Sequence, residues 1–376
     1  MKLFEVYPLF DLTLTKAEGA YVWTDQGEKY LDFYGGHAVI SIGHNHPEWV
    51  KNIEFQLKEG ISFFSNSVKL PIQNIFAEKL GKISGYEDYH LFLVNSGAEA
   101  NENAIKIASF HNGRKKIIAF KGAFHGRTAA SVAPTDNKKI KPLVNPDDHV
   151  IFLSFNDAEA LTKAFEENEI ACVIIEPIQG VNGIYEPSTE FLHLISEKCS
   201  ETGALFIADE VQCGYGRSGK FFAHQWSNVQ PDIITIAKGM GNGFPVGGVL
   251  ISPKIEAWFG MLGTTFGGAP LACAASIAVV DVIEKENLLQ NALDTGNYLM
   301  EEIKSLPGVV EVRGKGLMIG IEMSYPIKDL RNQMLTEYKI LTGNSSNPNT
   351  IRLLPTLNIS KSQADEVLHA FQQLCK

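Results

Sequence analysis

Between residues 90 and 251 the chain alternates short apolar runs with longer amphipathic stretches. The runs are His90–Val94, Lys116–Phe120, His149–Leu153, Ala171–Ile175, Ala204–Ala208, Ile233–Ala237 and Gly248–Ile251. They are nearly continuous in apolar residues, as strands buried on both faces must be. The stretches between them repeat their apolar positions at helical spacing. That alternation predicts parallel strands joined by helical crossovers, and so an α/β core.

The flanks read differently. Before residue 50, Ala20–Trp23 and Lys29–Phe33 predict short strands set between glycines. After residue 270, helices are predicted over Leu271–Glu286 and Leu289–Ser305. Strands follow over Val309–Arg313, Met318–Glu322 and Ile351–Leu354, and a closing helix over Lys361–Leu374. Pro307-Gly308 and Asn344–Asn349 break this region into turns. The expected division is a large α/β domain over 51–275 and a small α+β domain over 276–376, which residues 1–50 join.

Composition narrows the function classes. Hydrophobic residues make up 45% and charged residues 20% of the 376, which excludes disordered and coiled-coil chains. A net charge of −10, from 43 acidic and 33 basic residues, argues against a nucleic-acid binder. The longest apolar run, Leu271–Ile283, is shorter than the roughly 18 residues of a membrane span and contains Asp281, so it reads as a buried helix. Acidic Glu5 interrupts the N-terminal apolar stretch, so no signal peptide is expected. Five cysteines without a Cys-x-x-Cys pair fit a reducing cytoplasm and argue against a zinc site. His44-Asn45-His46 has no acidic or cysteine neighbour, and no metal is expected.

In open α/β sheets ligands sit at the carboxyl ends of the strands. The residues that follow the apolar runs are therefore the ones to inspect. Asp209-Glu210 follows one run, Lys238 another, Glu176 a third and Asn95-Ser96-Gly97-Ala98 a fourth. Lys238 is a surface lysine at a strand terminus, or a desolvated amine whose lowered pKa suits it to Schiff-base chemistry. Asp209 is an N-cap or ion-pair partner, or a carboxylate that keeps a bound pyridine nitrogen protonated. Ser96–Asn101 opens a helix whose free N–H groups suit an anion, and Ser96 with Glu99 also makes a capping box. Phe124 can stack on a flat ring, and Arg127 can grip a carboxylate or sit in a surface salt bridge. Gly214-Tyr-Gly-Arg-Ser-Gly219 matches a dinucleotide-binding string. It does not open a helix directly after a strand, so a nucleotide-binding oxidoreductase is set aside.

These segments together identify a family resemblance. Asn95–Asn101, Phe124-His-Gly-Arg-Thr128, Ile175-Glu-Pro-Ile-Gln-Gly180, Asp209-Glu-Val-Gln212, Ala237-Lys-Gly239 and Thr264-Thr-Phe-Gly-Gly268 stand in order along the chain. Over essentially its full length the chain resembles the class III, fold-type-I pyridoxal-phosphate aminotransferases. Gly43-His-Asn-His-Pro47 and Arg352-Leu-Leu-Pro355 favour the acetylornithine/succinylornithine branch.

The resemblance implies pyridoxal 5'-phosphate as cofactor and a mostly parallel large domain with a small α+β domain. It implies that Lys238 holds the cofactor covalently and moves a proton, with Asp209 on the pyridine nitrogen. Val211 and Phe124 would sandwich the ring, and Gln212 would reach its phenolic oxygen. Ser96, Gly97 and Ala98 would cradle the phosphate. Thr265 would reach the phosphate of a neighbouring subunit, which makes the active unit a homodimer with shared sites. Arg127 and Arg352 would bind substrate carboxylates, with Glu176 behind the cofactor. The implied reaction transfers the terminal amine of N-acetylornithine to 2-oxoglutarate, in arginine biosynthesis. N-succinylornithine, ornithine and 4-aminobutyrate are the alternative donors, and a non-catalytic binding module is the alternative of another class. The chain departs from the family pattern at Val181 (usually Glu), Leu262 (usually His), Ala269 (usually Asn) and Tyr34–Ala38.

Overall fold

The computed structural model describes residues 1–375. The chain enters through a ribbon of three antiparallel neighbours, β1 (Leu14–Glu18), β2 (Tyr21–Thr24) and β3 (Lys29–Asp32). Seven strands then build the central sheet. They are β4 (His90–Val94), β5 (Lys116–Phe120), β6 (Val150–Leu153), β7 (Ile170–Ile175), β8 (Leu205–Asp209), β9 (Ile233–Ile236) and β10 (Gly247–Ile251), in the spatial order β4-β10-β9-β8-β7-β5-β6. Every residue of β7, β8 and β9 is buried, which is why these runs carry almost no polar side chains.

The sheet is mostly parallel, as expected, with one exception. β10 runs antiparallel to both of its neighbours, β4 and β9. The connection from β9 to β10 spans only residues 237–246, and a parallel return needs about a dozen residues or more. The reversal has a consequence for the site. It brings the start of β10, Gly247, opposite Val94 at the same sheet edge where the other strands end.

After the sheet comes the helix Pro270–Lys285, in which twelve of sixteen residues are buried. Its one charged residue in the interior, Asp281, meets Lys79 Nζ at 2.5 Å. Packing on nearly all sides explains the apolar run without any membrane, and among the described residues no helix is long and apolar enough to cross one. The helix Leu288–Ile303 leads into β11 (Val309–Lys315) and β12 (Met318–Met323). The short strands β13 (Ile340–Leu341) and β14 (Gly343–Asn344) precede β15 (Thr350–Leu353). β11, β12, β15 and β14 form one antiparallel sheet, while β13 pairs in parallel with β3. The closing helix runs over Lys361–Leu374, as its capping box Ser360/Gln363 dictates. One hydrophobic cluster joins Leu31 and Phe33, Ile234 and Ile236, Val279 and Val280, and Ile319, Ile351 and Phe371. The first and last segments are thereby locked onto the sheet that carries the strand ends.

Candidate active site

The carboxyl edge of the central sheet opens into a cavity of about 390 Å³. Its lining includes Ser96, Gly97, Ala98, Phe124, Arg127, Glu176, Asp209, Val211, Gln212 and Lys238, ten of the twelve residues expected from the sequence. The antiparallel return of β10 adds Gly243, Phe244, Pro245 and Val246 to the wall.

Asp209 ends β8 and is 3% exposed. Its Oδ2 accepts hydrogen bonds from Asn101 Nδ2 and His125 Nδ1, both at 2.7 Å, and its Oδ1 accepts one from Val211 N at 3.0 Å. Burying a carboxylate costs several kcal/mol. Hydrogen bonds to a charged group return about 1.5–3 kcal/mol each, so three of them hold it in place. Asn101 is itself fixed, donating to His125 O at 2.7 Å and accepting from Thr235 Oγ1 at 2.6 Å. The buried Nε2 of His125 has no partner. Asn101 and His125 stand inside recognised motifs, yet their spacing says nothing about contact with Asp209. Only the sheet, which sets the helix Gly97–Asn112 over β8 and β9, brings them together.

Lys238 follows β9 with φ +46°, a left-handed conformation that is rare outside glycine. Burial pushes its ammonium below the ordinary lysine range, against the pull of the Asp209 and Glu176 carboxylates. Glu176 follows β7 and accepts from Phe124 N at 2.9 Å and Gly180 N at 3.1 Å. It thus pins the segment that carries Phe124 to the segment that leads to Val181. Burial raises its pKa, with His125 opposing the shift.

Ser96 caps the helix Gly97–Asn112, its Oγ accepting from Glu99 N at 3.2 Å. The N–H groups of Gly97 and Ala98 find no acceptor among the described residues, and they line the cavity. Gly97 must lack a side chain, because a Cβ would lie 2.6 Å from Val211 Cγ1. Gln212 donates to His37 O at 3.1 Å, while its Oε1 is buried without a partner. Pyridoxal phosphate fits this donor set. There are free helix N–H groups for a phosphate, a carboxylate for a pyridine nitrogen, and an unsatisfied amide on the wall. A lysine amine of lowered pKa stands beside them, with the side chains of Phe124 and Val211 available to hold a ring.

The remaining expected residues lie differently. Arg127 is exposed at the cavity mouth and makes no hydrogen bond or ion pair among the described residues. Arg352, on β15, is 3% exposed and sits behind the wall. Its Nε donates to Asn344 O at 2.6 Å, its Nη1 to Gly180 O at 2.9 Å and its Nη2 to Tyr34 Oη at 3.1 Å. Thr265 is exposed and does not line this cavity; its neighbour Thr264 accepts from Asn95 Nδ2 at 3.4 Å. Among the described residues no cluster of His, Cys, Asp or Glu is suited to a metal.

The comparisons with known proteins come to the same place. The family model for class-III aminotransferases matches residues 5–375. An LysW-aminoadipate semialdehyde/glutamate semialdehyde transaminase of Sulfolobus acidocaldarius is 42% identical, over 99% of this chain and 97% of its own. An acetylornithine aminotransferase of Bacillus subtilis is 40% identical, over 99% and 97%. Among solved structures, the acetylornithine aminotransferase of Elizabethkingia anophelis superposes with TM-score 0.86 at 31% identity, covering 99% of this chain and 96% of that one.

The wall makes a direct prediction about the cofactor. In Gly180→Ala the new Cβ would lie 1.6 Å from Gln212 Oε1. Gln212 must then leave its place and its bond to His37. Spectroscopic titration of the apoenzyme with pyridoxal phosphate should show affinity falling about tenfold, the size of one lost polar contact.

Proposed function

The chain belongs to the class-III aminotransferases, and from that premise we propose that it moves the terminal amine of an N-acylornithine, first of all N-acetylornithine, to 2-oxoglutarate. The products would be the N-acylglutamate semialdehyde and glutamate, a step of arginine biosynthesis. The observation that carries the reading is the pairing of the low-pKa amine of Lys238 with the buried, triply bonded Asp209 across one cavity.

When bound, pyridoxal phosphate supplies an aldehyde for the incoming amine and a sink for the electron pair left by a departing proton. The residues do the rest. Lys238 Nζ would hold the cofactor until substrate arrives, then take the proton from the substrate carbon and return it on the far side of the exchange. Its depressed pKa favours the free base that this task needs. Asp209 would keep a proton on the pyridine nitrogen, and His125 and Asn101 would keep Asp209 in place. The N–H groups of Gly97 and Ala98, with Ser96, would anchor the phosphate at the helix terminus. Phe124 and Val211 would fix the ring plane, and that plane sets which substrate bond breaks. Gln212 would hold the phenolic oxygen, with Glu176 bracing the Phe124 segment.

Arg127, unpaired at the mouth, would take the α-carboxylate of the acylornithine, leaving the terminal amine to reach the reaction centre. In the second half-reaction Arg127 and Arg352 would hold the two ends of 2-oxoglutarate. We place the exposed Thr265, which lies outside this chain's cavity, in the site of a second copy, within a homodimer with shared sites. The two relatives support the substrate class differently. One is named for acetylornithine and the other for LysW-aminoadipate semialdehyde and glutamate semialdehyde.

The test is the first half-reaction alone. The pyridoxal-form enzyme is mixed separately with N-acetylornithine, N-succinylornithine, ornithine and 4-aminobutyrate, and loss of the cofactor's bound absorbance is followed. Rapid conversion by an acylornithine is expected. Conversion only by ornithine or 4-aminobutyrate would overturn the substrate while leaving the chemistry in place. In Lys238→Ala, multiple turnover should disappear, with cofactor retained at most noncovalently. Turnover at the unmodified rate would remove Lys238 from its role.

A further inference from the structure

Lys238 is held by more than its own strand. Its φ of +46° is one that lysine rarely adopts, and such a conformation persists only where the surrounding structure over-determines it. On one side the register of β9 against β10 fixes Ile236. On the other the chain enters a tight 3₁₀ turn, Lys238–Met240, with Met240 N donating to Ala237 O at 3.0 Å and Gly241 N to Lys238 O at 3.1 Å. Hydrogen bonds within so short a turn have poor geometry, so contacts from outside set its shape.

Those contacts come from the N-terminal segment, far away in sequence. Ser41 Oγ donates to Gly239 O at 2.7 Å, and Trp49 Nε1 donates to Gly241 O at 3.1 Å. Asn242 replies from the turn. Its Oδ1 accepts from Ser41 N at 2.9 Å and from Ile42 N at 3.1 Å, and its Nδ2 donates to Gly43 O at 2.8 Å. Ser41 and Asn242 are both buried. The partners fix the orientation of the amide, since only its oxygen can face two N–H groups and only its nitrogen a carbonyl. Asn242 also has φ +49°, which asparagine tolerates better than most residues with a side chain. The residue type thus suits both the backbone and the three bonds.

The holding segment is itself anchored. Ser41 O accepts from Leu357 N at 2.6 Å and Thr356 Oγ1 at 3.0 Å, and Ile42 O accepts from Asn358 Nδ2 at 2.9 Å. Residues 41–43 therefore tie the turn after Lys238 to the chain that follows β15.

We propose that Ser41 and Asn242 are positioning residues for Lys238, whose bonds to the turn keep the strained lysine aimed into the cavity for its covalent bond to the cofactor. The ordering of Lys238 is then completed on folding and not at the moment the bond forms. Neither Ser41 nor Asn242 lines the cavity, so neither bears on how the phosphate and ring are held. The proposal rests on the role of Lys238 given above.

Two forms of the cofactor separate these effects. Pyridoxal phosphate condenses with the Lys238 amine, and its aldehyde oxygen leaves as water. Pyridoxamine phosphate has the same ring and phosphate with an amine in place of the aldehyde, so it binds only noncovalently. Each is titrated into the apoenzyme. Ser41→Ala deletes the one bond to Gly239 O and should weaken pyridoxal phosphate binding about three- to tenfold. Asn242→Gly keeps the left-handed backbone, deletes three bonds and should weaken it further; if this variant does not fold, Ser41→Ala decides alone. Pyridoxamine phosphate should bind the variants as it binds the unmodified enzyme. Equal weakening of both forms would show a merely structural role and overturn the proposal, as would unchanged affinity for pyridoxal phosphate. Lys238→Ala judges the underlying reading, because it should lose the preference for pyridoxal over pyridoxamine phosphate. If it keeps that preference, the role of Lys238 falls and the proposal with it. If it loses the preference while Ser41→Ala keeps it in full, the proposal alone falls.

Discussion

Asp209 cannot sit at the buried end of a strand without partners, and meeting that requirement organises the site around it. A carboxylate taken out of water needs several well-directed donors. Here they come from the helix Gly97–Asn112 (Asn101), from the turn after β5 (His125) and from the chain's own next bend (Val211 N). The same helix presents its free N–H groups to the cavity, and the same turn carries Phe124. Holding Asp209 therefore also fixes where a phosphate and a ring can lie. Lys238, at the end of the adjacent strand β9, enters this frame with a strained backbone and a lowered pKa. The burial that makes Asp209 demanding also pushes the Lys238 ammonium below its ordinary range.

Much of this was legible in the sequence, for a physical reason. Strands buried on both faces allow few polar residues within them, so the polar residues just after each run mark the sheet edge. Lys238, Asp209, Glu176 and Ser96 were found in this way. The direction of each strand was not legible, because an apolar run has no polarity along the chain: a mostly parallel sheet was expected, and which strand reverses, β10, follows from the short connection 237–246. Contacts across elements were equally hidden. Asn101, His125 and Asp209 are far apart in sequence, and only the layering of helix on sheet joins them. Arg352 was reached through resemblance alone. Its ligands come from residues 34, 180 and 344, a grouping that no spacing announces.

Arg352 is held by the carbonyls of Asn344 and Gly180 and by the Tyr34 hydroxyl, and Val181 follows Gly180 on the cavity wall. Two parts are distinct in the structure, the strand ends around the cavity and the N-terminal turn with β14–β15 around Arg352. Those two parts meet at Gln212, whose amide touches His37 O and whose other end faces the cavity.

The central claim is that Asp209, held by His125 and Asn101, keeps a proton on the cofactor ring. It is tested most directly by the ¹⁵N chemical shift of ring-labelled pyridoxal phosphate bound to the enzyme. The account predicts the shift of a protonated pyridine nitrogen throughout the neutral pH range, lost when Asp209 is replaced by alanine. The shift of an unprotonated nitrogen in the unmodified enzyme would contradict it.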